Sequence, residues 1–182
     1  ELISNKFKFV IASHLIFEKG IQDVIDAVNL LNPKIREKIL IHIYGKGSYL
    51  PQLKKKINDY KLNSIFEFKG SVSNLFETYS QYDFLIHPSF KETFCFTVIE
   101  SLISNTPVIT TNSPGGNILL EIKEGKNGYL YDSKDYQSLS QILKEIVEGK
   151  RVINDDISIE VVRKYSLEKM VENYLRLLKG AK

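Results

Sequence analysis

Residues 83–110 read DFLIHPSFKETFCFTVIESLISNTPVIT, and this stretch decides the fold. Asp83 to His87 carries a short continuous apolar run and reads as a buried strand. Pro88 stops it, because proline has no amide for a ladder hydrogen bond. A helix is expected from about Phe96 to Ser104, and Thr106 to Thr110 reads as the next strand. Two strands joined through a helix cannot form a hairpin. They run parallel, with a right-handed crossover.

The same alternation extends in both directions. Upstream, strands are expected at Phe7–Ala12, Ile39–Tyr44 and Ser64–Phe68. Ile21, Val24, Ile25, Val28 and Leu31 mark one helix. A Lys-rich helix spans Tyr49–Tyr60, with Leu50, Leu53 and Ile57 inward. Leu75, Phe76 and Tyr79 suggest a short one. Downstream, Pro114-Gly115-Gly116 is a turn, Ile118–Ile122 a brief helix and Gly128–Tyr131 a sixth strand. Asp135 then caps a helix whose Leu139, Ile142, Leu143, Ile146 and Val147 face the core. Amphipathic segments at about 157–164 and 167–178 follow. The expected fold is α/β: a doubly wound, Rossmann-like parallel sheet of six strands flanked by helices, one domain over residues 1–182.

Composition narrows the function. The chain has 182 residues, 43% of them hydrophobic, enough for a sizeable core and unlike a disordered chain. With 25 Lys+Arg against 22 Asp+Glu, the net charge of +3 is too small for a nucleic-acid binder, so no nucleic-acid partner is expected. Lys54-Lys55-Lys56 reads as a solvated helix face. The single cysteine, Cys95, excludes an internal disulfide and a cysteine-based zinc cluster. No apolar run is long enough to cross a bilayer, and no signal peptide is visible. The chain opens at Glu1 without a Met, as a piece of a longer protein would.

In open α/β sheets, ligands bind beyond the carboxyl ends of the strands, where helix N-termini and loop amides converge. Five loops qualify here: Ser13–Gly20, Gly45–Ser48, Gly70–Asn74, Pro88–Thr97 and Thr111–Gly116. An anion is the natural guest of such a rim. Lys19 adds positive charge at the positive end of a helix, which an anion would relieve. Gly45-Lys46-Gly47 permits close backbone approach but is not a Walker loop. In the loop after the fourth strand stands Glu92, and Glu100 follows eight residues later inside the next helix. If Glu100 points at the rim, it can accept hydrogen bonds from a diol such as a ribose. Both carboxylates are expected to open onto one shared crevice.

In order along the chain, Leu15, Lys19-Gly20, Gly45-Lys46-Gly47, Gly70-Ser71-Val72, Pro88-Ser89, Glu92 with Phe94, Glu100, Pro107-Val108, Gly115-Gly116 and Asn127-Gly128 form an ordered set. This set resembles the C-terminal, donor-binding domain of retaining GT-B glycosyltransferases of the family 4, or group 1, type. The resemblance implies half of a GT-B fold, with a separate N-terminal acceptor domain, and transfer of a sugar from a nucleotide diphosphate donor to a glycan or lipid-linked acceptor. This fragment alone would then be nearly inactive. Lys19 and His14 would neutralise the diphosphate, and Glu92 would bind hydroxyls of the transferred sugar beside the Phe94, Cys95 and Phe96 amides. Glu100 would hold the ribose, Val72 and Asn74 would meet the base, and Gly47 and Thr97 would line the cleft.

The chain departs from that pattern in places. Ser13-His14 replaces Gly-Arg, and an imidazole is a weaker phosphate ligand than a guanidinium fork. Cys95 replaces a glycine. It reads as a packing residue, not a nucleophile, because no partner histidine is evident locally. Asn105 replaces a glycine at a helix end, where Asn tolerates the left-handed conformation. The acidic residue expected after Gly-Gly is shifted to Glu121 or absent. No Asp-x-Asp stands at a strand end, so no metal site and no cofactor are expected; the donor would be a UDP- or GDP-sugar. A cytoplasmic location is implied, with peripheral contact to the inner face of the membrane left open. Two other readings keep the fold: a sugar phosphorylase or epimerase, and a nucleotide-binding module without activity of its own.

Overall fold

A computed structural model describes residues 6–112, 122–153, 156–166, 168–169, 171 and 175–176. Strand β1 (Phe7–Ala12) leads through a 3-10 turn (Phe17–Lys19) into α1 (Ile21–Leu30) and the short α2 (Pro33–Arg36). β2 (Ile39–Tyr44), α3 (Leu50–Asp59) and β3 (Phe66–Gly70) follow. A second 3-10 turn (Phe76–Gln81) precedes β4 (Phe84–His87), α4 (Phe96–Ile103) and β5 (Val108–Thr111). The chain continues through β6 (Gly128–Tyr131), α5 (Tyr136–Val147) and α6 (Ser158–Tyr165). The strands form one parallel sheet in the order β3-β2-β1-β4-β5-β6, the doubly wound topology expected from the sequence.

Adjacent residues on a strand point to opposite faces, so a strand covered on both sides must be apolar throughout. β1 meets that demand. Phe9 and Ile11 join Ile39, Ile41 and Ile43 in the core beneath α1, α3 and α5. Val10 joins Leu85 and Val108 on the other face, against Val98, Ile99 and Leu102 of α4. Each such side chain contributes about 1.5–3 kcal/mol through burial. Asp135 caps α5 as expected, its Oδ1 accepting from the Ser138 amide at 3.0 Å. Asn105 adopts the left-handed conformation at φ 59°, and its Oδ1 also accepts from the Ile157 amide.

Some boundaries differ from the sequence reading. β3 begins at Phe66 rather than Ser64, because the Ile65 and Phe66 amides turn back to the Leu62 carbonyl. β5 begins at Val108 because Thr106 bonds elsewhere, its amide to Ser101 O and its hydroxyl to Tyr79 O, and Pro107 has no amide. α2 was not foreseen, although Asn32 caps it from a position just before Pro33. Lys56 is not simply solvated: it pairs with Asp26 at 2.6 Å and ties α3 to α1. The turn at 114–116, most of the helix expected at 118–122, Glu121 and much of 167–178 lie outside the described residues.

Candidate functional site

The strand order reverses between β1 and β4, so the loops leaving these two neighbours diverge to opposite faces and open a crevice. The loops are stitched together at their bases. The Phe90 amide donates to Glu18 O at 2.9 Å, and the Ser89 hydroxyl reaches the same oxygen at 3.4 Å. This brings Lys19 from one loop onto Glu92 from the other.

Glu92 is gripped at one oxygen. Lys19 Nζ donates to Oε1 at 2.5 Å, and His87 Nε2 lies 3.0 Å from the same atom. Thr110 sets the state of the His87 ring. Its hydroxyl donates to the His87 carbonyl, so its oxygen accepts from Nδ1, 3.0 Å away. Nε2 faces Glu92 Oε1 and Cys95 Sγ, each at 3.0 Å, and a hydrogen there completes an imidazolium. Burial opposes that charge, but the hydrogen bonds to Cys95 and Glu92 outweigh it and raise His87 to about 9. Burial also opposes ionisation of Glu92, yet hydrogen bonds from His87 and Lys19 hold its carboxyl at about 2. At Cys95 burial favours the thiol; the His87 contact prevails and pulls it below the usual range.

Cys95 Sγ also lies 3.3 Å from Thr97 Oγ1. Thr97 and Glu100, on the first turns of α4, form one wall of a pocket of about 400 Å³. Ser13, His14, Gly45 and Lys46 come from the ends of β1 and β2, and Val72 and Asn74 from the segment after β3. The volume suits a ligand of nucleotide size. Tyr79 OH donates to Glu100 Oε2 at 3.4 Å from beneath. Burial, then the Glu100 charge, push Tyr79 far above its ordinary range, so it stays a donor. Among the described residues, ligating atoms of His87, Glu92 and Cys95 gather within 4.8 Å, close enough for a metal ion. The Lys19 ammonium and the imidazolium, both on the same carboxylate oxygen, oppose a cation there.

Residues 1–165 match the family described as "Glycosyl transferases group 1". The chain belongs to this family. It is 29% identical over 169 residues to the GtfA subunit of a UDP-N-acetylglucosamine–peptide N-acetylglucosaminyltransferase from Streptococcus pneumoniae, covering 93% of this chain and 33% of that protein. It is 27% identical over 173 residues to poly(glycerol-phosphate) alpha-glucosyltransferase of Bacillus subtilis, covering 94% of this chain and 25% of the relative. The chain thus spans a quarter to a third of these curated relatives. HepE of Anabaena, solved with UDP, superposes with a TM-score of 0.84 at 19% identity, over 97% of this chain and 49% of that one. The pneumococcal GtfA, solved with UDP and GlcNAc, gives 0.77 at 24%, over 97% and 36%. At these identities the superpositions establish the shared GT-B type of fold.

Within this group 1 domain the expected residues divide. His14, Val72, Asn74, Thr97 and Glu100 share the pocket. Lys19 and Glu92 meet each other, but neither belongs to the pocket wall. Of the two carboxylates expected to open onto one crevice, only Glu100 lines it; Glu92, with a side chain 10% exposed, is drawn back onto Lys19 and His87. Gly47 is also absent from the wall, because its open side faces Leu15, where a Cβ would stand 2.2 Å from the carbonyl oxygen. Gly45 and Lys46 take its place. Phe94 and Phe96 stack edge to face at 4.9 Å and are exposed, outside the pocket lining. Cys95 does have a partner histidine, His87, the residue that sequence reasoning missed. Its signal was a histidine closing a strand immediately before the rim loop.

Proposed function

We propose that this chain is the donor-binding half of a retaining, metal-independent glycosyltransferase that takes a UDP-sugar. The observation that carries the reading is the Lys19–Glu92 pair at the strand-order reversal, one short turn of chain from a pocket walled by Glu100. The nucleoside occupies that pocket, with the ribose hydroxyls on Glu100 and the base beside Val72 and Asn74. The UDP in the names and titles of relatives favours uracil over guanine.

The diphosphate then lies toward His14, Lys46 and Lys19. Negative charge on the leaving phosphate grows as the glycosidic bond breaks, and a fixed ammonium stabilises that charge most in the transition state. Both Lys19 and His87 bond to Oε1 of Glu92, so Oε2 is the oxygen presented to the sugar hydroxyls. The buried imidazolium keeps this carboxylate ionised and oriented. A lysine, an imidazolium and the α4 N-terminus supply the positive charge that a metal would otherwise bring. The acceptor, a glycan or a lipid-linked glycan, is bound by a separate N-terminal domain, and the fragment alone is nearly inactive.

Calorimetric titration of the intact protein with UDP and GDP tests this reading. UDP binds more tightly, and Lys19→Ala weakens it by about 1–3 kcal/mol if the pair with the diphosphate is charge-assisted. Absence of binding by either nucleotide, or equal binding by parent and Lys19→Ala, overturns it.

A further inference from the structure

The sugar-transfer reading gives the Cys95 sulfur no contact with the donor, yet its pairing with His87 is the arrangement that activates a thiol. Sγ lies 3.0 Å from Nε2 of a ring whose other nitrogen is committed to Thr110, and 3.3 Å from the Thr97 hydroxyl. Cys95 is the residue before the first turn of α4, where the helix dipole favours an anion. Its backbone is left-handed at φ 62°, a conformation that suits glycine, so the side chain is held against His87 at a conformational cost. Cys95 is half-buried and stands two residues before Thr97, which lines the pocket. A residue chosen only to fill space would not need a histidine, a hydroxyl and a helix terminus around its sulfur.

We propose that Cys95 is a reversible thiol–disulfide exchange site that switches donor binding off, with small disulfides as its reactant. The thiolate attacks one sulfur of the disulfide. A new bond forms from Sγ to that sulfur, the original S–S bond breaks, and the second sulfur leaves as a thiolate that takes a proton from water. Cys95 is oxidised, the leaving sulfur is reduced, and nothing else is consumed. The attached group stands between Glu92 and Thr97, where the transferred sugar would lie. It also removes the anionic partner of His87. A thiol reductant reverses the step. The consequence for donor binding rests on the proposed function, whereas the exchange chemistry does not.

The experiment uses the intact protein, with Cys95 followed by peptide mass. The first arm is reaction with 4,4′-dithiodipyridine at about pH 6. Native Cys95 reacts roughly tenfold faster than the same cysteine in urea, and His87→Gln abolishes the excess. The pH–rate profile of the parent gives the same answer if that variant fails to fold, with a midpoint below that of an ordinary thiol. Native labelling no faster than in urea, or an ordinary midpoint, overturns the exchange site. The second arm treats the protein with glutathione disulfide. UDP affinity falls roughly tenfold or more, dithiothreitol restores it, and whatever affinity Cys95→Ala retains is unaffected. Unchanged UDP affinity after complete modification overturns the switch. If the untreated parent binds no UDP, the donor-site reading fails and the switch with it, while the first arm still judges the exchange chemistry.

Discussion

Gly20 and Pro88 meet main chain to main chain: a Cβ built on Gly20 would stand 2.0 Å from the Pro88 carbonyl oxygen. Gly20 ends the 3-10 turn that carries Lys19 and begins α1, at φ +67°. The loop after β1 can therefore lie directly against the loop after β4. The Lys19–Glu92 pair follows from that approach. A side chain at position 20 would push the two loops apart and separate the charges they carry.

Gly20→Ala is accordingly expected to damage stability and site together. Left-handed strain costs about 1–3 kcal/mol for a non-glycine residue, and relief of the clash with Pro88 adds to it. Urea unfolding reads the first effect. Weaker UDP binding by the residual folded protein reads the second. A variant as stable as the parent, with unchanged nucleotide affinity, would show that the two loops are not held by this approach.

Glu92 should reveal its partners through pH. Its folded pKa of about 2 lies below the unfolded value, so its contribution to stability is complete above roughly pH 4.3 and is lost as pH falls toward 2. Glu92→Gln is expected to cost about 2 kcal/mol at pH 7, a value reduced for partial solvent screening, and almost nothing near pH 2. Denaturant unfolding of both proteins at several pH values measures the difference. A gap independent of pH would mean that Lys19 and His87 do not hold the ionised form.

The sheet was readable because its cause is local and periodic. Val10 and Ile11 must both be apolar in a strand covered on two faces, and Leu139, Ile142, Leu143 and Ile146 repeat at helical spacing. Glu100 was readable through its place in the ordered set of motifs, eight residues after Glu92. The direction of Glu92 was not, since Lys19 and His87 reach it from another loop and from a strand end. The protonation state of His87 depends on Thr110, twenty-three residues away. Gly47 misled for a simple reason: a glycine permits close approach but does not say to what, and here the neighbour is Leu15.

In the first turn of α1, burial works against Asp23. Desolvation, then the Asp26 charge, raise its carboxyl to about 6 despite Lys56 and Lys134. Among the described residues, its Oδ2 and the nearby Tyr131 hydroxyl have no hydrogen-bond partner. For an acid raised in the folded state, stability is highest below the unfolded pKa of about 3.9 and falls as pH rises through 6. Asp23→Asn should therefore stabilise the protein by about 1 kcal/mol at pH 7.5, with no advantage at pH 4. Tyr131→Phe, which loses no hydrogen bond, should be neutral or stabilising by about 1 kcal/mol. Thermal unfolding at the two pH values checks both variants, and a destabilised Asp23→Asn at pH 7.5 would contradict the burial argument.

Tyr79 lines the floor of the proposed ribose site and also reaches Glu100. Its ring is fully buried against α4, and its hydroxyl makes the long 3.4 Å contact to Glu100 Oε2. Tyr79→Phe keeps the ring, so stability should change by less than about 1 kcal/mol, the net worth of one weak hydrogen bond. The freed carboxylate is less well aimed, and UDP affinity should fall roughly two- to fivefold. Glu100→Gln should cost more, roughly tenfold, because it removes the charged acceptor itself. The double variant decides whether the tyrosine acts through the carboxylate: if it does, Tyr79→Phe adds almost nothing in a Glu100→Gln background. Additive losses would instead make Tyr79 a direct contact of the nucleotide, and Glu100 would no longer be the intermediary.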